Sequence, residues 1–151
     1  MLNKKNFYIN GKWVKPDSEK EIKVINPANE DVCTLITLGN KKDIDTAVCA
    51  AKEAFKLWGY SPKEERIDYL EKLYTLYKQR WDDFTNAIVL EMGAPKEFAS
   101  KLQVGAGAAH IKSFIKYLKE FNFDKPVNDH LANQRSIYEP KGVCALITPW
   151  N

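Results

Sequence analysis

Five apolar residues in a row, Val143-Cys144-Ala145-Leu146-Ile147, stand between Lys141-Gly142 and Thr148-Pro149. The run is long enough for a strand and too short for a helix. Because it does not alternate, it predicts a strand buried on both faces, as in a parallel sheet covered by helices. Lys141-Gly142 predicts the turn into it. Pro149 has no amide hydrogen for a ladder, so the strand is expected to stop at about Thr148. Trp150 and Asn151 then fall just past the carboxyl end of a buried strand, where open α/β sheets bind ligands. The expected fold class is α/β.

The residues before it divide into a strand-rich start and a helical middle. Phe7-Tyr8-Ile9 and Lys12-Trp13-Val14 flank Asn10-Gly11, the dipeptide that most readily takes the two positive φ angles of a type I′ hairpin turn. Pro16-Asp17-Ser18 predicts a turn. Ile22 to Ile25, ended by Asn26-Pro27, and Val32 to Leu38 predict two further strands. The period then changes: Ile44, Ala47, Val48, Ala51, Phe55 and Trp58 share one helical face. Asp43 is the expected N-cap and Gly59 the stop. Ser61-Pro62-Lys63-Glu64 predicts a capping box with proline at the first helical position. The helix behind it carries Ile67, Leu70, Leu73, Tyr74, Tyr77 and Trp81 on one face. Its periodicity continues, with a break near Trp81, to Gly93-Ala94-Pro95. A third helix is expected from about Lys96 to Phe121, its Gly105-Ala106-Gly107-Ala108-Ala109 patch inviting close approach of another backbone. Residues 122–133 are polar and irregular, and Arg135 to Glu139 predicts a strand.

Composition excludes several functions. A net charge of +3, with Lys interleaved among Asp and Glu, marks solvated helix faces rather than a nucleic-acid surface. The basic start, Met1 to Asn6, leads into no apolar h-region and is not read as a signal peptide. No stretch approaches the roughly 18 apolar residues of a membrane span. The expected location is the cytoplasm.

Few side chains qualify as chemistry. Gly105-x-Gly107 follows no strand and has His110 where a dinucleotide loop needs its third glycine, so it predicts helix packing. His110 and His130 lie apart with no cysteine beside them, which argues against zinc. Cys33, Cys49 and Cys144 sit among apolar neighbours, and buried small-hydrophobe roles are expected for all three.

Several segments, taken in order, resemble the NAD(P)-dependent aldehyde dehydrogenases. They are Tyr8-Ile9-Asn10-Gly11-Lys12-Trp13, Ile25-Asn26-Pro27-Ala28, the Ala/Phe/Trp pattern ending at Trp58, and Leu90-Glu91-Met92-Gly93. The set closes on Glu139-Pro140-Lys141-Gly142-Val143 followed by Ile147-Thr148-Pro149-Trp150-Asn151. The likeness runs over essentially the whole chain, but covers only about the first third of a family member. In that family a cysteine thiolate attacks the aldehyde, the tetrahedral oxyanion gives hydride to the nicotinamide, and a glutamate activates water to hydrolyse the thioester. The resemblance implies that Asn151 donates its amide N–H to that oxyanion, a neutral donor typically worth about 3 kcal/mol of transition-state stabilisation. Without the resemblance, Asn151 would merely turn the chain after a strand. Ile147, Thr148, Pro149 and Trp150 match positions lining the cleft for NAD or NADP. Val24, Ile25 and Glu91 match a monovalent-cation site of several members, although a carboxylate such as Glu91 is more often simply a helix end.

The division implied is residues 1–121 as the N-terminal part of the nucleotide-binding domain, 122–140 as part of an oligomerisation β arm, and 141–151 as the first strand of a Rossmann-like parallel sheet. The partners implied are an aldehyde substrate and further copies of the chain. The cofactor lysine, Gly-rich turn, nucleophilic cysteine and general-base glutamate would lie downstream, so these residues alone are not expected to oxidise an aldehyde. The contrasting reading is a stand-alone, non-catalytic helical module that binds a protein partner.

Overall fold

The computed structural model describes residues 2–128, 130 and 133–148. The amino-terminal hairpin forms where expected: β2 (Phe7–Ile9) pairs antiparallel with β3 (Lys12–Val14). Asn10 and Gly11 both take positive φ, 52° and 74°, as the turn type requires. Tyr8 faces Trp13 across the ladder, ring centroids 5.1 Å apart.

A three-stranded sheet follows. β5 (Val32–Thr37) lies at its centre, antiparallel to β4 (Glu21–Ile25) and parallel to β1 (Leu2–Lys4). The central position explains why β5 is covered along its length, with Thr34 buried, while β4 is mostly exposed.

Helix α1 (Lys41–Trp58) begins one turn earlier than its apolar periodicity suggests. Asn40, not Asp43, is the N-cap. Its side-chain oxygen accepts from the Asp43 amide, and the Asp43 carboxylate accepts from the Asn40 amide at 3.0 Å, a reciprocal capping box. Both residue types suit a cap, and Asp43 serves at the third helical position instead. At the other end Gly59 stays right-handed at φ −56°. Helix α2 (Lys63–Gln79) also departs from expectation: Pro62 is its N-cap and no side chain caps it. Ser61 turns away from the helix it was expected to cap, donating to the Trp58 carbonyl and accepting from Arg66 Nε. Arg80 separates α2 from α3 (Trp81–Met92), placing the helix break at the expected point.

The expected third helix is in three parts: a short α4 (Lys96–Phe98), a π-helical segment (Ala99–Val104) and α5 (Gly105–Glu120). Helix α5 lies against α2, and the π segment against α3. The buried apolar residues Ala94, Ala99, Val104, Ala108 and Ile115 belong to this corner, so the core sits among α2, α3, the π segment and α5. At Gly107, a Cβ would come within 2.4 Å of the Tyr77 hydroxyl, so the small-residue patch admits a side chain rather than the neighbouring backbone it was expected to admit. Lys63 Nζ donates to the carbonyls of Lys119 and Phe121, closing the end of α5.

Past α5, residues expected to be irregular contain a strand. β6 (Asp124–Pro126) pairs antiparallel with β7 (Arg135–Ile137). Phe121 ties this hairpin to the helix, with ring centroids 4.8 Å from Phe123 and 5.1 Å from Tyr138.

The strand expected over Val143–Ile147 is not formed. No ladder partner reaches it among the described residues, and Leu146 and Ile147 are 89% and 91% exposed. A five-residue strand has no internal hydrogen bonds, so without a neighbouring strand nothing fixes it.

Candidate functional site

Two of the sequence motifs singled out above meet in space. β4 runs out through Val24 and Ile25 into a tight loop. The Asn26 side-chain oxygen accepts from the Ala28 amide at 2.9 Å, and the Asn26 amide donates to the Asp31 carbonyl at 2.9 Å. Helix α3 ends against that loop. Gly93 is left-handed at φ 67°, and a Cβ there would lie 2.9 Å from the Ala28 nitrogen and 3.0 Å from Pro27 Cγ. Only glycine allows both the φ angle and the approach. The Leu90–Gly93 and Asn26–Ala28 segments, over sixty positions apart, therefore form one corner.

Val24, Ile25 and Glu91 flank this corner, on β4 and in the last turn of α3. The Val24 carbonyl accepts from the Cys33 thiol at 3.2 Å. Ile25 is 42% exposed, at a register shift in the β4–β5 pairing. Glu91 is half-buried. Backbone carbonyls and a carboxylate are hard oxygen donors of the kind a cation takes, and the Val24 carbonyl already serves the Cys33 thiol.

A second cluster secures the start of α1. The Asp43 carboxylate accepts from the Asp17 amide at 2.7 Å and the Ser18 amide at 3.4 Å, besides that of Asn40. These amides, led by Asp17's, hold its pKa below the usual carboxylate value. Asp17 is also lowered, first by its hydrogen bond from Lys42. The cluster binds the segment after β3 to the helix start. Its role is structural.

Of the expected catalytic and cofactor residues, only Ile147 and Thr148 are described. Asn151, Pro149 and Trp150 lie outside the described residues. Ile147 and Thr148 are exposed. The cleft of about 730 Å³ beside Lys5, Trp13, Lys15, Ser18 and Glu21 contains neither. Gly105 and Gly107 sit within helix packing, as expected, and form no phosphate loop. The described residues by themselves therefore do not fit a dinucleotide. Among them, no three His, Cys, Asp or Glu side chains cluster as a metal site would require.

The cysteines correct the sequence reading. Cys49 and Cys144 are exposed, and only Cys33 is half-buried. Cys49 falls on the solvent side of α1, and Cys144 belongs to the unpaired run, so neither finds the apolar cover that its neighbours suggested. Tyr77 also escaped notice as more than an apolar position. Its hydroxyl donates to the Val104 carbonyl at 3.1 Å, and burial raises its pKa. The available signal was a tyrosine on the face that meets a glycine patch.

Comparison with known proteins places this geometry. The aldehyde dehydrogenase family model matches residues 13–151. A 3-succinoylsemialdehyde-pyridine dehydrogenase of a Pseudomonas species is 40% identical over all of this chain, and a putative aldehyde dehydrogenase of Staphylococcus saprophyticus is 37% identical. The chain spans 31% of the length of each. Among solved structures, an aldehyde dehydrogenase of Bartonella henselae superposes with TM-score 0.84 at 41% identity, covering 85% of this chain and 27% of that one. Aldehyde dehydrogenase C of Pseudomonas syringae, in a mutant form complexed with NAD+ and octanal, gives TM-score 0.79 at 34% identity over 82% of this chain and 26% of that one. The motifs that meet at Gly93 and the α/β arrangement that joins them are thus those of a recognised group, and the chain belongs to the aldehyde dehydrogenase family.

Proposed function

We propose that the chain is the N-terminal portion of an NAD(P)-dependent aldehyde dehydrogenase, which oxidises an aldehyde to a carboxylic acid through a thiohemiacetal on a cysteine supplied by residues beyond Asn151. The observation that carries this is the continuous family match over residues 13–151, ending on Thr148-Pro149-Trp150-Asn151. A chain that aligns with under a third of its relatives supports a reading as part of a larger whole. Surface area argues the same way. The chain exposes 12088 Å² at 17.3 kDa, against about 7800 Å² expected for a folded monomer of that mass. The comparisons favour this over a stand-alone interaction module, since the relatives named above are dehydrogenases.

Within that reading, Asn151 is the oxyanion donor. A carboxamide suits the position because it presents an N–H without titrating and without competing as a nucleophile. Ile147, Thr148, Pro149 and Trp150 form one wall of the cofactor cleft once parallel strands flank Val143–Ile147. Val24 and Ile25 offer carbonyls, and Glu91 a carboxylate, to a monovalent cation at the corner closed by Gly93. Residues 1–121 support the nucleotide-binding domain, and the β6–β7 hairpin within 122–140 contributes to contact between subunits.

The test is Asn151→Ala in the complete enzyme. Turnover is expected to fall about 10²- to 10³-fold with little change in thermal stability. Unchanged turnover would remove Asn151 from the chemistry. The 151-residue chain incubated alone with aldehyde and NAD+ or NADP+ is expected to give no rise in absorbance at the reduced-nicotinamide band.

A further inference from the structure

The junction between the π segment and α5 is held from outside by two hydrogen bonds. The Gly105 amide is shared between the Leu102 carbonyl and the Ser100 carbonyl, the latter five residues back, which is the mark of the wide register. On the neighbouring helices, Tyr77 in the last turn of α2 and Trp81 at the start of α3 each reach this segment with a polar tip. Tyr77 Oη donates to the Val104 carbonyl at 3.1 Å, and Trp81 Nε1 donates to Ser100 Oγ at 2.9 Å. The two rings meet edge to face, and Tyr77 also stacks on Phe84 with centroids 4.5 Å apart. Both prongs are therefore fixed in position by packing on either side of the α2–α3 break.

We infer that Tyr77 and Trp81 act as a two-pronged clamp that selects the π register of residues 99–104, making this segment a register switch rather than a passive irregularity. The geometry follows from helix pitch. Tightening the segment to α would advance the residues before it by one position relative to α5, a rotation of about 100° and a shift of about 1.5 Å. Val104 and Ser100 could not then both meet their donors, because the donors stand on one rigid aromatic cluster. Gly107 completes the device. Its missing side chain leaves the space the Tyr77 hydroxyl occupies, and a Cβ there would meet Oη at 2.4 Å and Cζ at 3.0 Å. Val104 is fully buried, so water does not replace the lost Tyr77 prong at no cost. In the tight register the same rotation would carry Leu102, which is 58% exposed, to a different part of the surface.

The test reads the register directly, through scalar coupling across the hydrogen bond from the Gly105 amide nitrogen in the isotope-labelled chain. The unmodified chain is expected to couple to the Ser100 carbonyl carbon. Tyr77→Phe, which keeps the ring and removes the hydroxyl, is expected to transfer coupling to the Lys101 carbonyl and to speed exchange of the Gly105 amide about tenfold, the factor one hydrogen bond amounts to. Gly107→Ala is expected to give the same transfer by displacing the hydroxyl. Ser100→Ala removes the other acceptor without touching the aromatic cluster, and serves if Tyr77→Phe fails to fold. Coupling that stays with Ser100 in the folded variants overturns the clamp, and leaves the two hydrogen bonds as ordinary packing contacts.

Discussion

Protonating Asp43 would release three backbone amides at once, those of Asp17, Ser18 and Asn40. Its folded-state pKa lies below the ordinary carboxylate value, chiefly through the Asp17 amide. Between the two values the unfolded chain binds a proton that the folded chain refuses. Stability from this group is therefore complete above about pH 3.9 and is lost as the pH falls through the lower, folded value. Asp43→Asn is expected to lower the urea midpoint at pH 7, with the gap from the unmodified chain closing towards pH 3. A gap constant across that range would show that charge at this position is irrelevant. Two glycines make a matched pair at the same scale. Gly11 and Gly93 both need positive φ, at 74° and 67°, but a Cβ at Gly11 meets nothing within 4 Å. Gly11→Ala is expected to cost roughly 1–2 kcal/mol from left-handed strain. Gly93→Ala adds overpacking of about 1–3 kcal/mol against Pro27 and Ala28. Equal losses in denaturant titrations would mean that the corner has slack.

Elements were legible in proportion to how locally they are determined. The Asn10-Gly11 hairpin needs only its own residues, and it formed in register. The amphipathic periods located α1, α2 and α3, and the interruption at Arg80 fell where the pattern weakened near Trp81. Helix starts were less legible, because Asn40 and Asp43 are both competent caps and only the reciprocal bond tells which one leads. Ser61 had the right residue type, yet Arg66 and the Trp58 carbonyl claimed its hydroxyl. The π segment was invisible, since its register is set by Tyr77 and Trp81 from other helices. The candidate site was legible in motif only: the chain brings the Asn26–Ala28 and Leu90–Gly93 segments together, while Ile147 and Thr148 need strands the described residues do not provide. The Phe121 ring attaches the β6–β7 hairpin to the end of α5. Phe121→Ala removes two ring contacts, each worth about 0.5–1.5 kcal/mol. The Val127 and Tyr138 amides, bonded to the Gln134 and Phe123 carbonyls, are expected to exchange faster, with α2 and α5 unaffected. Faster exchange in α5 as well would mean that the hairpin and helix fold as one unit.

At the scale of the molecule, exposed apolar surface sets the behaviour. Besides Leu146 and Ile147, Leu57 is 84% exposed, Tyr60 75%, Phe114 69% and Tyr117 64%. Patches of this kind mark contact surfaces or association hazards. The run from Val143 adds unpaired backbone to apolar side chains, the combination that templates strand addition. The isolated chain is expected to self-associate with rising concentration in sedimentation velocity. Ile147→Lys is expected to shift the distribution towards monomer. A monodisperse monomer that the substitution leaves unchanged would place the association-prone surface elsewhere or nowhere.

The parallel pairing of β1 with β5 also sets a timetable for synthesis. Leu2 pairs opposite Thr34, with the β2–β3 hairpin and β4 made in between. At roughly 5–20 residues per second, the amino-terminal strand waits about 2–6 s after its own synthesis before its partner exists. The hairpin next to it needs no such delay. During translation Leu2–Lys4 thus stay unpaired for longer than the hairpin residues that follow them, and they join the sheet at its edge only once β5 exists.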